Sequence, residues 1–427
     1  MVVAGGADYV LLSNAACLLS LDASHGGGVL GLIEDPAVLL KDGQVVALGP
    51  SKAVIPEQIP ADWRVLDCRR GLLMPGLADC HTHMVFAGRR SWEWRRRLAG
   101  ERYEDILAAG GGIHNSVRAT RQASEHELGA LLDERLDRAL VRGITTLEVK
   151  SGYGLSHEHE LRLLGVVQAA AGRRKQQIIS TYLGAHAVPG DHAGGRSGYV
   201  DEICERSLPE VAERGLASFV DVYCDRGAYS LVESERILRR AKELGLGLRI
   251  HAEQIEYTGG AGMAARLGAA SADHLERIDS EGIQAMANSG CAAVLLPAAR
   301  FYLRDRVPPA RELADAGVPI AVSTDYNPGT SPTGDLLWNA LMACQDMGLR
   351  VEEAILGITR IPRQILGLTS GVVREGAPAD LILFDAPDPA ELLQWHSEHS
   401  CVGIVLGDRV LGFNGRPLTL DMVAPSS

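Results

Sequence analysis

Three observations predict an α/β fold, a TIM-like (β/α)8 barrel with a small composite β-sandwich domain contributed by the two chain ends. Eight short β-branched or apolar runs recur along the middle of the chain. Segments of helical periodicity separate them. The two flanks carry another pattern, short strands broken by DG, GP and GD turns.

The eight runs are MPGLADCHTH (74–83), TTLEVK (145–150), IISTYLGAHA (178–187), FVDVYC (219–224), LRIHAE (248–253), SADHL (271–275), AAVLLPA (292–298) and PIAVSTD (319–325). LGALLDERLDRALVRG precedes the second, LRLLGVVQAAAG the third, ERILRRAKELG the fifth, MAARLGA the sixth, IQAMANSG the seventh and ARELADAG the eighth. Several of these helices end in Gly, the expected C-terminal stop. Alternating units of this kind give a parallel sheet buried on both faces, and eight of them close into a barrel. In the flanks, YVLLSN, AVLLKDGQVVALGP and WRVLDC come before the barrel, and ADLILFDA and CVGIVLGDRVLGFNG after it. Their turns predict antiparallel strands. One piece precedes the barrel and the other follows it, so residues 1–70 and 371–427 are expected to pair into one β-domain around a barrel spanning 71–370. Only the terminal APSS looks loose.

The bulk numbers narrow the class. A chain of 427 residues with 46% hydrophobic and 22% charged residues has the composition of a globular protein. Its formal net charge of -12 argues against nucleic acid or an anionic membrane as partner, since both attract basic patches. A small anionic substrate needs a local cation to override that field. The eight cysteines are scattered without a CxxC pair, as free thiols in a reducing compartment would be. YVLLSNAACLLSL has strand character and no basic leader before it, and no apolar run approaches the ~20 residues of a membrane span. A cytoplasmic enzyme is the simplest class.

Chemistry in such a barrel sits at the C-terminal ends of the strands. There the sequence places His81 and His83 on strand one, His186 on strand three, His251 on strand five, His274 on strand six and Asp325 on strand eight. In an extended HxH the two imidazoles point the same way. Three histidines and a carboxylate suit Zn²⁺, or Fe²⁺ in the same geometry. A divalent ion there makes hydroxide available near neutral pH. Asp325 would sit at or near the ion and take the proton of the attacking water, with His274 orienting it or hydrogen-bonding Asp325. The reaction class that follows is hydrolysis of a C–N bond at a polarised carbonyl or amidine carbon.

The HxH of strand one, the single histidines of strands five and six and the Asp of strand eight resemble the amidohydrolase superfamily. GVVREGAPADLILFD is similar to its return strand into the small β-domain. FVDVYC on strand four offers no lysine, whereas binuclear members carry a carboxylated Lys there, and Lys150 stands on strand two; one metal is therefore expected. Within the superfamily, HTHMVFAGRR, AGGGI with VRATRQAS, EVKSGYGL, LGAHAVP, HAEQ, SADHLE and STDYNPGTSPT together resemble the enzymes of histidine degradation that open 4-imidazolone-5-propanoate to N-formimidoyl-L-glutamate. This resemblance covers roughly residues 72 to 370.

It implies metal ligands His81, His83, His251 and Asp325, holding one Zn²⁺ or Fe. Arg90 stands where those enzymes bind the substrate carboxylate, and a guanidinium fork suits a propanoate. Arg89 departs from the acidic residue expected before it. Tyr153, and less directly Tyr103, would contact ring or carboxylate. His186 would polarise the ring carbonyl and steady the oxyanion, and Gln254 would read the ring. Glu253 is placed as supporting. Asn327, the Gly329 backbone and Thr330 would donate to substrate or product. The GGG at 110–112 lacks the Lys-Ser/Thr of a phosphate loop and is taken as a lid or tight turn. A homodimer is implied at family level. The alternatives are another amidohydrolase acting on a cyclic amide or aminated heterocycle, as nucleobase deaminases do, or a non-catalytic scaffold on the same barrel.

Overall fold

The computed structural model describes residues 8–102, 105–106, 109–369 and 371–423. The terminal APSS and Tyr103 lie outside the described residues. The central sheet has eight parallel strands: Leu77–Asp79 (β1), Ile144–Lys150 (β2), Gln177–Ala185 (β3), Phe219–Cys224 (β4), Gly247–Ala252 (β5), Ser271–His274 (β6), Ala292–Leu295 (β7) and Ile320–Val322 (β8). They pair in chain order. Short backbone bonds beyond the strand ends close the circle, from Asp325 N–H to the His81 carbonyl and from His83 N–H to the Tyr326 carbonyl, both at 3.0 Å. The seam of the barrel therefore runs through the expected metal ligands.

Local chemistry explains the helices. Glu125–Val141 starts at a capping box in which Ser124 and Glu127 exchange hydrogen bonds, and it buries Leu128, Leu132, Leu136 and Leu140 at helical spacing against the sheet. Leu231–Glu243 repeats the device with Ser230 and Glu233. Every residue of β2 is buried, as a strand covered on both faces must be. Among the described residues no helix is long and apolar enough to cross a membrane.

Two further sheets flank the barrel. One has four strands, with Tyr9–Ser13 between Pro36–Lys41 and Arg64–Asp67. The other has six and draws on both chain ends: Arg409–Gly412, Cys401–Leu406 and Asp380–Phe384 continue into Leu72–Pro75, Cys17–Leu19 and Leu32–Glu34. Val10, Leu12, Val38, Leu73, Leu381 and Val405 fill the core between them. The sheets are mostly antiparallel, but Tyr9–Ser13 runs parallel to Arg64–Asp67, and Cys17–Leu19 parallel to the strand at Leu72.

The run expected as a single first strand, 74–83, is divided at Gly76. Leu72–Pro75 belongs to the six-stranded sheet and only Leu77–Asp79 to the barrel. A Cβ on Gly76 would lie 2.0 Å from Thr145 Oγ1 and 2.4 Å from Asp380 Oδ1, so any larger residue at the crossing between sheets must displace those side chains. The buried Arg363 stitches the crossing, donating to the Gly76 carbonyl, Thr145 and Asp380. The seventh run is also shorter than its apolar stretch, because Pro297 opens the helix Pro297–Leu303.

Candidate metal centre and active site

His81 and His83 follow β1 rather than lying within it, held extended by the closing bonds to Asp325 and Tyr326. Thr82 between them turns into the wall, where its hydroxyl donates to the Glu148 carbonyl at 2.6 Å and its N–H to Glu148 Oε2 at 3.1 Å. Alternation then aims both imidazoles inward. His83 Nε2 lies 3.2 Å and His81 Nε2 3.5 Å from Asp325 Oδ1. His81 also packs on His251, with ring centroids 4.4 Å apart, and both stand near His274, at 5.9 and 5.4 Å. Two overlapping sets have ligand atoms within 4.8 Å of one another: His81, His83 and Asp325, and His81, His251 and His274. His81 belongs to both, and every member is buried.

The donor set fits a metal ion. His81 Nδ1 lies 2.6 Å from Asp273 Oδ2 and His251 Nδ1 3.0 Å from Asp221 Oδ1. A carboxylate accepts, so each Nδ1 carries the hydrogen and each Nε2 keeps its lone pair. Both Nε2 atoms are buried without a hydrogen-bond partner. Orphaned acceptors of this kind are costly unless something binds them.

Beneath these rings lies a layer of charge that the sequence analysis did not anticipate. Lys150 Nζ sits 2.7 Å from Glu148 Oε1 and 2.8 Å from Asp221 Oδ2. Arg249 Nη2 is 2.7 Å from Asp273 Oδ2, and its Nη1 is 3.2 Å from Glu148 Oε1. All five side chains are fully buried. Burial pushes the Asp221 carboxyl up, but the charges of His251 and Lys150 outweigh it and hold the group well below the carboxylate range. Burial, with Lys150 nearby, keeps His81 neutral by pushing it well below its usual value, and burial lowers His274 to about 3. Burial raises the Asp325 carboxyl, against the pull of His274 and His251. The available signal was charged residues inside strands that read as buried on both faces, EVK in β2, VDV in β4 and LRI in β5.

Backbone strain concentrates at the same rim. His274 has φ 81°, Asp325 φ 50° and Glu253 φ 53°, all left-handed for non-glycine residues. Each costs about 1–3 kcal/mol and persists where the surroundings hold it.

The remaining candidates are arranged around this centre. His186 stacks on His83 at 5.0 Å and donates from Nδ1 to the Gly152 carbonyl at 2.9 Å. Tyr153 is buried, its ring 5.4 Å from His186 and 6.1 Å from His83. Gln254 accepts from the Tyr223 hydroxyl at 2.8 Å. Arg90 is paired with the buried Glu93, Nη2 to Oε2 at 2.8 Å, and its Nη1 lies against Gly329, where a Cβ would come within 2.2 Å. Asn327 organises the last loop: its Oδ1 accepts from Gly329 N at 2.8 Å and Thr330 N at 2.7 Å, while its Nδ2 donates to the Asp325 carbonyl at 2.7 Å. Glu253 accepts from Thr258 and from the N–H of Ala261, at the start of the helix Gly260–Leu267. Arg89 is exposed. In the GGG stretch, Gly110 and Gly112 have φ 86° and 79°, and Gly112 N–H donates to Glu93.

Residues 72–405 match the model of the Amidohydrolase family. Proteins named imidazolonepropionase are similar along nearly the whole chain. The one from a Polaromonas species is 45% identical, covering 88% of this chain and 89% of its own. That from Xanthomonas oryzae pv. oryzae is 45% identical over 90% and 94%, and that from Geobacillus kaustophilus 41% over 91% and 92%. Among solved structures, N-isopropylammelide isopropylaminohydrolase from Burkholderia multivorans superposes with a TM-score of 0.69 at 20% identity, covering 96% of this chain and all of that one. A zinc-bound adenosine deaminase from Xanthomonas campestris gives 0.69 at 17%, over 94% and 92%. At those identities the likeness concerns the fold alone. The family model and the relatives named imidazolonepropionase have one consequence: the chain belongs to the amidohydrolase family.

Proposed function

We propose that this protein hydrolyses 4-imidazolone-5-propanoate to N-formimidoyl-L-glutamate, using one divalent ion, Zn²⁺ or Fe, held by His81, His83, His251 and Asp325. The observation that carries this reading is the pair of buried Nε2 atoms on His81 and His251, each without a hydrogen-bond partner and each backed by a carboxylate, with His81 shared between the set holding Asp325 and the set holding His251. When bound there, the metal lowers the pKa of a water toward neutrality. The chain's own groups do the rest. Asp325 takes the proton of the attacking water and returns it to the departing nitrogen as the ring C–N bond breaks and the carbonyl carbon becomes a carboxylate. His274 orients Asp325. Arg90 receives the propanoate, with Tyr153, Asn327, the Gly329 backbone and Thr330 closing around it, and Gln254 addresses the ring. Because His186 Nδ1 donates to Gly152, its neutral ring offers a lone pair at Nε2. It therefore accepts a ring N–H, and it steadies an oxyanion only after taking a proton.

On the same reading the enzyme works in the cytoplasm as a homodimer on a small anionic substrate, without nucleic acid or membrane as partner. The net charge of -12 and the eight free cysteines support that setting. Purified, metal-loaded protein is expected to consume the imidazolone in an ultraviolet assay, and turnover no faster than buffer would defeat the proposal. Arg90→Ala should raise KM by about 100-fold, the roughly 3 kcal/mol of a charged hydrogen-bond pair. An unchanged kcat/KM in that variant would instead favour a neutral heterocycle as substrate.

A further inference from the structure

The loop after β2, SGYGL at 151–155, is held through the backbone groups of Gly152, Gly154 and Leu155. Glu160, fully buried on the helix His157–Ala171, accepts from Gly152 N–H through Oε2 and from Gly154 and Leu155 N–H through Oε1, each at 2.7 Å. Arg121, from the helix Ile113–Gln122, donates from the opposite side to the Gly154 carbonyl at 2.6 Å and the Leu155 carbonyl at 2.8 Å. Its remaining arm reaches Asp191 Oδ2 at 2.5 Å, in the segment beyond His186. The Gly152 carbonyl accepts from His186 Nδ1 at 2.9 Å. The glycines follow from this arrangement. Gly152 has φ 97°, and a Cβ on Gly154 would stand 2.6 Å from Glu160 N and 2.8 Å from its Oε1.

We infer that Glu160 and Arg121 are positioning residues, clamping the 151–155 loop so that Tyr153 is held in place and the Gly152 carbonyl fixes the ring orientation and Nδ1–H form of His186. The inference rests on the proposed function only for its kinetic arm. A carboxylate takes three N–H donors on two acceptor oxygens. An amide has a single acceptor oxygen and sets N–H against N–H at the other. The isosteric Glu160→Gln therefore releases one side of the loop without changing its volume.

The test uses the full chain. In wild type, nitrogen-15 spectra should show His186 as the Nδ1–H form, and hydrogen exchange at Gly152, Gly154 and Leu155 should be slow. Glu160→Gln should lose the His186 signature and speed exchange at Gly152. It should lower kcat about 30-fold, with KM changed less than about threefold and metal content unchanged, as displacement of a group at the reacting centre does. Arg121→Lys, on the more exposed side, should give the same changes at about fivefold in kcat, and it serves if Glu160→Gln does not fold. A merely structural clamp would lower Tm while leaving the His186 signature and kcat per folded site intact, and that result overturns the inference. Loss of the wild-type signature alone would do the same. Absence of wild-type turnover with the spectra as expected would defeat the proposed reaction and leave the clamp standing.

Discussion

Asp273 places one oxygen 2.6 Å from His81 Nδ1 and 2.7 Å from Arg249 Nη2. A single carboxylate thus fixes a ring that could carry its hydrogen on either nitrogen in the form whose lone pair is at Nε2. Asp273→Asn keeps the shape and removes the charge, and it should weaken metal binding about 10–100-fold in competition with a chromophoric chelator. An unchanged affinity would mean that His81 does not depend on this partner. The histidines themselves were legible in the sequence because residue type and strand-end position are local properties. Asp273 and Asp221 were not, because their roles depend on partners 192 and 30 residues away. Glu160 was hidden differently: it reads as an ordinary residue in the first turn of an amphipathic helix, and only the folded loop shows what its carboxylate holds.

At the scale of the element, runs bounded by turns gave β4 its full extent, Phe219–Cys224, and placed β2, β3 and β5 within a residue or two. The first run misled because the apolar stretch across Pro75 and Gly76 serves two sheets in succession, and both bury their residues. Nothing in hydrophobic periodicity marks such a handover; only the contact of Gly76 with Thr145 and Asp380 does. Gly76→Ala must push a methyl into those side chains and should cost about 1–3 kcal/mol, seen as a lowered Tm. An unchanged Tm would show that the crossing has room to spare. Strand ends also carry the chemistry here. The left-handed conformations of His274 and Asp325 turn the chain where β6 and β8 meet the centre, so strain and function share the same residues.

For the whole molecule, the barrel and the two flanking sheets enclose nearly all the thiols, and burial raises Cys17 and Cys344 to about 11 and Cys68, Cys80, Cys291 and Cys401 to about 12. At pH 8 a thiol of pKa about 11 is ionised to roughly one part in a thousand. Ellman's reagent should therefore react slowly with the native protein and with all eight cysteines once denatured; fast reaction in the folded state would contradict the packing. The joining of the two chain ends was legible because both flanks read as short turn-broken strands unlike the barrel units, and the six-stranded sheet joins them. The parallel pairings within those sheets were not, since turn residues specify hairpins and are silent on strands that meet across the fold. The proposed reaction requires of the whole arrangement that His81, His83, His251 and Asp325 share one ion. The most direct measurement is the divalent metal content of the purified chain beside its imidazolone turnover, in wild type and in His81→Asn. The account predicts one ion per chain in wild type, with both ion and turnover lost in the variant. Full turnover by metal-stripped protein, or a variant that retains both, would contradict it.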